Sequence, residues 1–249
     1  MTDTIRHSTP APGLLQLEIN RPERRNALND EAYRGLIDGL AAAADDDAAR
    51  VVVITGAQMC FTSGNDIADF MTRQEGSADH AAIRFLRAIA SFEKPVVAAV
   101  EGFAIGIGTT MLLHCDLAYA GRSARFKLPF VPLGICAEGA STLLLPQVAG
   151  AKRASELLLF GEEFSGADAS RDGLVNEAVE DGQALSRALE RAAALAALPV
   201  ASVLATKALL QKARGPLVIE TIAAEAAEFD RLRRLPETQA RFMAFMQKR

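Results

Sequence analysis

Leu15, Leu17 and Ile19 alternate with Gln16 and Glu18, the period of a strand with one buried face. Arg21-Pro22 ends that strand, and Asn29 is placed to cap a helix carrying Leu36, Ile37 and Leu40 on one side. Residues 51–54 form an unbroken apolar run of strand length, closed by Thr55-Gly56. A polar stretch at 73–78 predicts a mobile loop, and residues 81–92 predict a helix stopped before Pro95. Residues 96–100 predict a second buried strand, 102–108 a glycine-rich turn, 109–115 an apolar helix and 117–120 a further strand. Strands alternating with helices predict an α/β core. From Gln183 onward the pattern is helical and rich in Ala and Leu, and Pro199, Gly215-Pro216 and Pro236 divide it into about four helices. The expected organisation is a core over residues 1–196 and a helical region over 197–249, with no internal repeat of fixed period.

Composition narrows the function. Half of the 249 residues are hydrophobic and 23% are charged, enough for a sizeable core. A net charge of −4 argues against a nucleic-acid partner. No apolar run approaches the ~18–20 residues of a membrane span, so no membrane partner is expected. Neither end carries a signal-peptide core or a Ser-Lys-Leu address, and the expected location is cytoplasmic. The three cysteines and three histidines are scattered, without the spacing of a metal site or of a Cys/His nucleophile pair.

Two loops carry candidate chemistry. Phe61-Thr62-Ser63-Gly64-Asn65-Asp66 follows the first buried run, and Gly102-Phe103-Ala104-Ile105-Gly106-Ile107-Gly108 lies between a buried strand and an apolar helix. Glycines in such turns let backbone N–H groups approach a ligand, and those groups could form an anion or oxyanion site. Tight turns without chemistry have the same appearance. The second loop is neither a P-loop nor a GxGxxG dinucleotide loop.

Taken in order, the motifs carry a resemblance. Asn20-Arg21-Pro22 with Asn26-Ala27-Leu28, the Ser63 to Asp66 loop, residues 102–116, 126–139 and 161–175 resemble successive segments of the enoyl-CoA hydratase/isomerase (crotonase) superfamily over nearly the whole chain. That resemblance implies a crotonase (ClpP-like) spiral of repeated ββα units with C-terminal helices that support a homotrimer or a hexamer. It implies an acyl-CoA thioester as partner, with coenzyme A part of the substrate and no separate cofactor. The thioester oxygen would be held by the backbone N–H groups of Asn65 and Ile107. Arg24, Asn26, Ala27 and Leu28 would lie along the CoA, with Arg24 or Arg25 near its phosphates or simply in solvent. Ser63, Gly64, Asp66, Gly106, Thr110 and Phe130 would complete the substrate site, Asp66 chiefly by fixing its loop.

Departures from the family pattern bear on the reaction. Hydratases of this family use two glutamates, and the matching positions here are Thr110 and Phe130. Neither side chain exchanges a proton at neutral pH as a carboxylate does. Glu138, in an apolar stretch, has two readings: a buried acid with a raised pKa, or a charge flanking the helix that begins near Gly139. Gly64-Asn65-Asp66-Ile67 with Phe70, Gly106-Ile107, Pro129-Phe130, Leu133-Gly134 and Glu138-Gly139 resemble the peroxisomal-type Δ3,Δ2-enoyl-CoA isomerase branch, which implies Glu138 as the single proton shuttle. Ala137 departs from that branch, where proline is usual. The alternatives are a 2-enoyl-CoA hydratase and a non-catalytic acyl-CoA-binding protein. His114 is expected as a packed core residue, Asp116 as a helix-end pin, Cys136 beside the pocket without activation, and residues 230–234 as a solvated helix face.

Overall fold

The structure is a computed structural model that describes residues 4–66 and 80–247. The expected loop at 73–78, Ile67 and Phe70 lie outside the described residues. Among the described residues, nine strands form two sheets. The larger contains β1 (Ile5–Ser8), β2 (Leu14–Ile19), β3 (Val51–Gly56), β4 (Val96–Val100), β6 (Leu117–Gly121) and β9 (Glu177–Val179), in the order β1-β2-β3-β4-β6-β9. In it β1 pairs antiparallel with β2, and the other described pairings are parallel. The smaller sheet joins β5 (Phe103–Ile105), β7 (Arg125–Lys127) and β8 (Phe164–Ser165).

The central strands explain the unbroken apolar runs. Val52, Ile54, Val96, Ala98 and Val100 face one core cluster, while Val51, Val53, Val97 and Ala99 face another. Helices α1 (Asp30–Asp45) and α2 (Ala81–Ala90) feed the first cluster through Tyr33, Leu36, Leu40, Phe85, Leu86 and Ile89. On the other face lies a helix of residues Ala184–Ala196, with Ala188, Ala192 and Ala196 against the sheet. Their spacing of four puts the small side chains on one stripe. A parallel sheet covered on both faces needs apolar residues at every position of its inner strands.

The spiral emerges from the way consecutive strands change sheets. β4 passes through Glu101-Gly102 into β5 and then a short helix, α3 (Ile107–Thr110). β6 passes into β7 and later α4 (Ser141–Ala149). Successive turns stack in register: Thr62 bridges Ala104, Ala104 pairs with Phe126, and Phe126 pairs with Phe164. These turns differ in length, so no fixed sequence period marks them.

Local signals set several boundaries. Asn29 Oδ1 accepts the Ala32 N–H at 2.9 Å and caps α1 as expected. Asn29→Ala should lower stability by about 1 kcal/mol, seen as a lower thermal midpoint; an unchanged midpoint would show that solvent satisfies that helix end. Other expectations need correction. The glycine-rich turn contains the strand β5, because residues 103–105 complete the smaller sheet. The predicted 109–115 helix is α3 followed by a 3-10 turn, Met111–His114. The C-terminal region after Gln183 has three helices among the described residues: Ala184–Ala196, Val200–Arg233 and Pro236–Gln247. The middle one runs through Gly215-Pro216. An internal proline removes one hydrogen bond and costs about 3 kcal/mol, offset here by the burial of Val218, Ile222, Ala226 and Phe229 along the same helix. Among the described residues, no single helix is long and apolar enough to cross a membrane.

Candidate active site

Backbone hydrogen bonding singles out one residue in the first loop. Phe61 N–H donates to Glu101 O at 2.7 Å, Thr62 N–H to Phe103 O at 2.8 Å and Ser63 N–H to Arg25 O at 3.0 Å. Gly64 N–H donates to Thr62 Oγ1 at 3.1 Å and Asp66 N–H to Leu28 O at 2.9 Å. Among the described residues, the Asn65 N–H alone in this run has no acceptor. In the second loop Gly106, Thr109 and Thr110 donate, to Lys127 O, Gly106 O and Gly106 O. The Ile107 and Gly108 N–H groups have no acceptor among the described residues. An unpaired donor away from bulk water costs free energy, so it is kept where a ligand completes it.

Close backbone approach holds the loops together. Gly64 has φ +87°, and a Cβ on it would lie 2.5 Å from Ile105 O. A Cβ on Gly108 would meet Thr62 Cγ2 at 2.6 Å. Tyr33, buried in α1, donates from its hydroxyl to Asn65 Oδ1 at 2.7 Å. Tyr33→Phe removes that bond and should lower turnover roughly fivefold, the equivalent of about 1 kcal/mol; unchanged kcat would show that the Asn65 backbone is aimed without it.

Between the loops opens a cavity of about 230 Å³. Arg25, Ser63, Gly64, Asn65, Phe103, Ile105, Gly106 and Lys127 form one part of its wall. Pro129, Phe130, Leu133, Ile135, Glu163, Phe229, Phe242 and Phe245 form the rest. Phe103 lies within 5.8 Å of the Arg25 guanidinium and 5.4 Å of Arg125, contacts favourable between cation and ring face. Glu163 lines the cavity and pairs with Arg125 at 2.6 Å.

The structure distributes the expected site residues over wall and scaffold. Ser63, Gly64, Asn65, Gly106 and Phe130 line the cavity. Arg24 is exposed and outside the lining, whereas Arg25 lines it. Left-handed conformations at Arg25 and Asn26, φ 51° and 56°, follow the 3-10 turn Pro22–Arg24 and reverse the chain there. Asn26 is fully buried; its Oδ1 accepts the Arg21 N–H and its Nδ2 donates to Ala57 O and Cys60 O. Ala27 and Leu28 are core residues, and Leu28 N–H donates to Gly64 O at 2.8 Å. The Asn26-Ala27-Leu28 side chains therefore meet the protein, and their backbone shapes the loop carrying Asn65. Asp66 pairs with Arg21 at 3.2 Å, which fixes the same loop.

Glu138 is 4% exposed, and Thr110 Oγ1 donates to its Oε1 at 3.3 Å. Ile107, Thr110 and Glu138 are buried and outside the cavity lining; Ile107 directly follows the wall residue Gly106, and Glu138 comes three positions after Ile135. The helix after Glu138 begins at Ser141 and is capped by another residue. Glu225 accepts the Ala140 N–H at 2.6 Å and the Thr142 N–H at 3.0 Å. Burial pushes the Glu225 carboxyl above the usual carboxylate range, against the hydrogen bonds from Thr142 and Ala140. Burial lowers His114 to about 4, so it is neutral at pH 7. Burial likewise raises Cys136 to about 11, which leaves its thiol protonated. Asp116 accepts the Val96 N–H and pairs with Lys207 at 2.7 Å. Asp230 pairs with Arg233 and Arg234, and Arg233 is largely covered rather than solvated.

Sequence reasoning missed Tyr33, Lys127, Glu163, Glu225 and the three C-terminal phenylalanines. Phe242 and Phe245, three apart on one helix, share a face, and that spacing was the available signal. Nothing local marks Glu225, since its partners lie more than eighty residues away.

Comparison with known proteins agrees with this architecture. The family model described as enoyl-CoA hydratase/isomerase matches residues 10–249. The solved structure of Pseudomonas aeruginosa OdaA is 42% identical, with a TM-score of 0.95 over 98% of this chain and 99% of that one. Enoyl-CoA delta isomerase 2 of Homo sapiens is 32% identical over 82% of this chain and 53% of its own length, so the chain spans about half of that relative. The 2,3-dehydroadipyl-CoA hydratase of Escherichia coli strain K12 is 32% identical over 95% of this chain and 93% of its own. With its stacked ββα turns, its two N–H-bearing loops and these matches, the chain belongs to the enoyl-CoA hydratase/isomerase family, the crotonase superfamily.

Proposed function

We propose that this chain is an acyl-CoA isomerase that moves a double bond from C3 to C2 of an enoyl-CoA thioester, with Glu138 as the single acid–base group. The observation that carries this reading is a buried carboxylate at 138 beside Thr110, with no carboxylate at 110 or 130. In a 3-enoyl-CoA the C2 proton is acidified by both the thioester and the double bond. Glu138 takes that proton, and the electron pair spreads into a dienolate with its charge on the thioester oxygen. The Asn65 and Ile107 N–H groups hold that oxygen, each worth ~3–4 kcal/mol in comparable holes. Glu138 then returns the proton to C4, leaving the double bond between C2 and C3. No electrons are lost or gained overall, so the route calls for no redox cofactor, and the two N–H groups supply the charge stabilisation a metal would otherwise give. Exclusion of water protects the dienolate and favours the neutral form of the acid between the two transfers.

Glu163 is the competing carboxylate because it lines the cavity, but Arg125 already pairs with it. Arg125 Nε donates to Glu163 Oε1 at 2.6 Å, so that oxygen is already engaged by a guanidinium. Arg25 and Lys127, at the wall, suit the phosphates of the CoA moiety. A second reading, hydration of a 2-enoyl-CoA, draws support from the E. coli hydratase relative. A homotrimer or hexamer belongs to the same proposal, with the exposed Leu209, Leu210 and Leu217 as apolar surface for a second copy.

Purified protein mixed with 3-hexenoyl-CoA should yield the conjugated 2-enoyl thioester, followed by its absorbance. Rapid water addition to crotonyl-CoA without isomerisation would favour the hydratase. Tight binding of both esters without turnover of either would leave an acyl-CoA-binding protein.

A further inference from the structure

The residue after Glu138 opens an unfavourable stretch of backbone. Gly139 and Ala140 both have positive φ, 70° and 54°. Ala140 carries a Cβ, and its left-handed conformation persists only where surroundings hold it. The peptide group between these residues is held at both polar ends by side chains from distant segments. His114 Nε2 lies 2.8 Å from Gly139 O. A carbonyl oxygen only accepts, so Nε2 carries the hydrogen and donates. At the other end Glu225 Oε2 accepts the Ala140 N–H at 2.6 Å, while Oε1 accepts the Thr142 N–H at 3.0 Å and the Thr142 hydroxyl. His114 and Glu225 are both buried.

The polarity of these contacts selects one orientation. Turning the peptide over would set its carbonyl oxygen against the Glu225 carboxylate, two acceptors with no hydrogen between them, and turn its N–H away from that carboxylate. Glu138 is joined directly to this unit, and its own carbonyl accepts the Ser141 N–H at 3.2 Å. On the remaining side the backbone passes against Thr110: a Cβ on Gly139 would lie 3.0 Å from Thr110 Oγ1, the hydroxyl that also donates to Glu138.

We infer that His114 and Glu225 are positioning residues for Glu138, which together hold the Gly139–Ala140 peptide in the single orientation that aims its carboxylate. The inference rests on the reading of Glu138 as the base. It also ties the base to the cavity, since Phe229, one helical turn beyond Glu225, lines the wall.

Three variants and a double-mutant cycle test it. Glu225→Gln retains size but leaves one acceptor for donors that now engage two. His114→Phe retains a flat ring without a donor, and His114→Gln restores an N–H. In folded protein, Glu225→Gln and His114→Phe should each lower kcat on 3-hexenoyl-CoA at least about tenfold, with KM held within about twofold. His114→Gln should recover part of the loss. Added to Glu138→Gln, neither change should lower the residual rate further, because a group acting through Glu138 has nothing left to aim. The inference is overturned if the folded variants keep kcat near the parent value, or if their losses multiply undiminished onto Glu138→Gln. Should Glu225→Gln lack a native near-UV circular dichroism spectrum, the His114 pair makes the same comparison. A parent chain that does not isomerise the ester, or a Glu138→Gln variant at full rate, would instead remove the Glu138 reading itself and the inference with it.

Discussion

Glu138→Gln should slow isomerisation of 3-hexenoyl-CoA by about 10²–10⁴-fold, the range expected when a positioned acid–base group is removed. The amide matches the carboxylate in size and can still accept from Thr110 Oγ1, which holds the native side chain at 3.3 Å. It cannot take the C2 proton. Binding of the ester should change little, because the cavity wall does not include residue 138. Glu163→Gln makes the contrast: it removes a charge from the cavity wall and releases its partner Arg125, so its effect should fall on KM. Full turnover in Glu138→Gln, or a collapse of kcat in Glu163→Gln alone, would transfer the base role away from 138. A crystal structure with an enoyl-CoA bound tests the same point by geometry. C2 and C4 should both come within hydrogen-bond reach of the Glu138 carboxylate. A carboxylate still buried outside the cavity wall in that complex would count against the mechanism.

The second large effect is expected at Gly64. An alanine there places a Cβ 2.5 Å from Ile105 O, a backbone atom that no side-chain rotation relieves. Residue 64 precedes Asn65, and Ile105 is two residues before Ile107, so the overlap separates the strands of chain that carry both N–H groups. Loss of one well-placed oxyanion donor costs about 10²–10³ in kcat. Gly64→Ala should therefore lower kcat by at least about that much. Gly150→Ala supplies the control. Its φ of +78° also disfavours a Cβ, but that Cβ meets nothing within 4 Å. Both variants should lose roughly 1–3 kcal/mol of stability from the backbone alone, and only Gly64→Ala should lose turnover. Equal kinetics in the two folded variants would mean that the loop spacing does not control the chemistry.

The sequence by itself determined the local elements whose cause is local. Alternation at Leu15, Leu17 and Ile19 marks β2, the apolar runs mark β3 and β4, and Asn29 marks the start of α1 through a bond to a residue three positions away. The loops 61–66 and 102–108 were legible as glycine-bearing turns at strand ends, and the ordered resemblance along the chain made them candidates for chemistry. The absence of acids at 110 and 130, and the presence of one at 138, were legible as residue identities. Tertiary structure decided everything that depends on partners far along the chain. Only the fold shows that, among the described residues, the Asn65 N–H is left without an acceptor between bonded neighbours, and that the Ile107 and Gly108 N–H groups are left so after a bonded Gly106. Only the fold places Arg25 at the cavity in preference to Arg24, because two left-handed residues reverse the chain there. Helix Val200–Arg233 continues past Gly215-Pro216 because burial of one face outweighs a local break, a balance no local window contains. The same helix brings Glu225 to Ala140 and Phe229 to the cavity. Local chemistry therefore selects candidate residues, while burial and long-range hydrogen bonds decide which atoms remain available to a substrate.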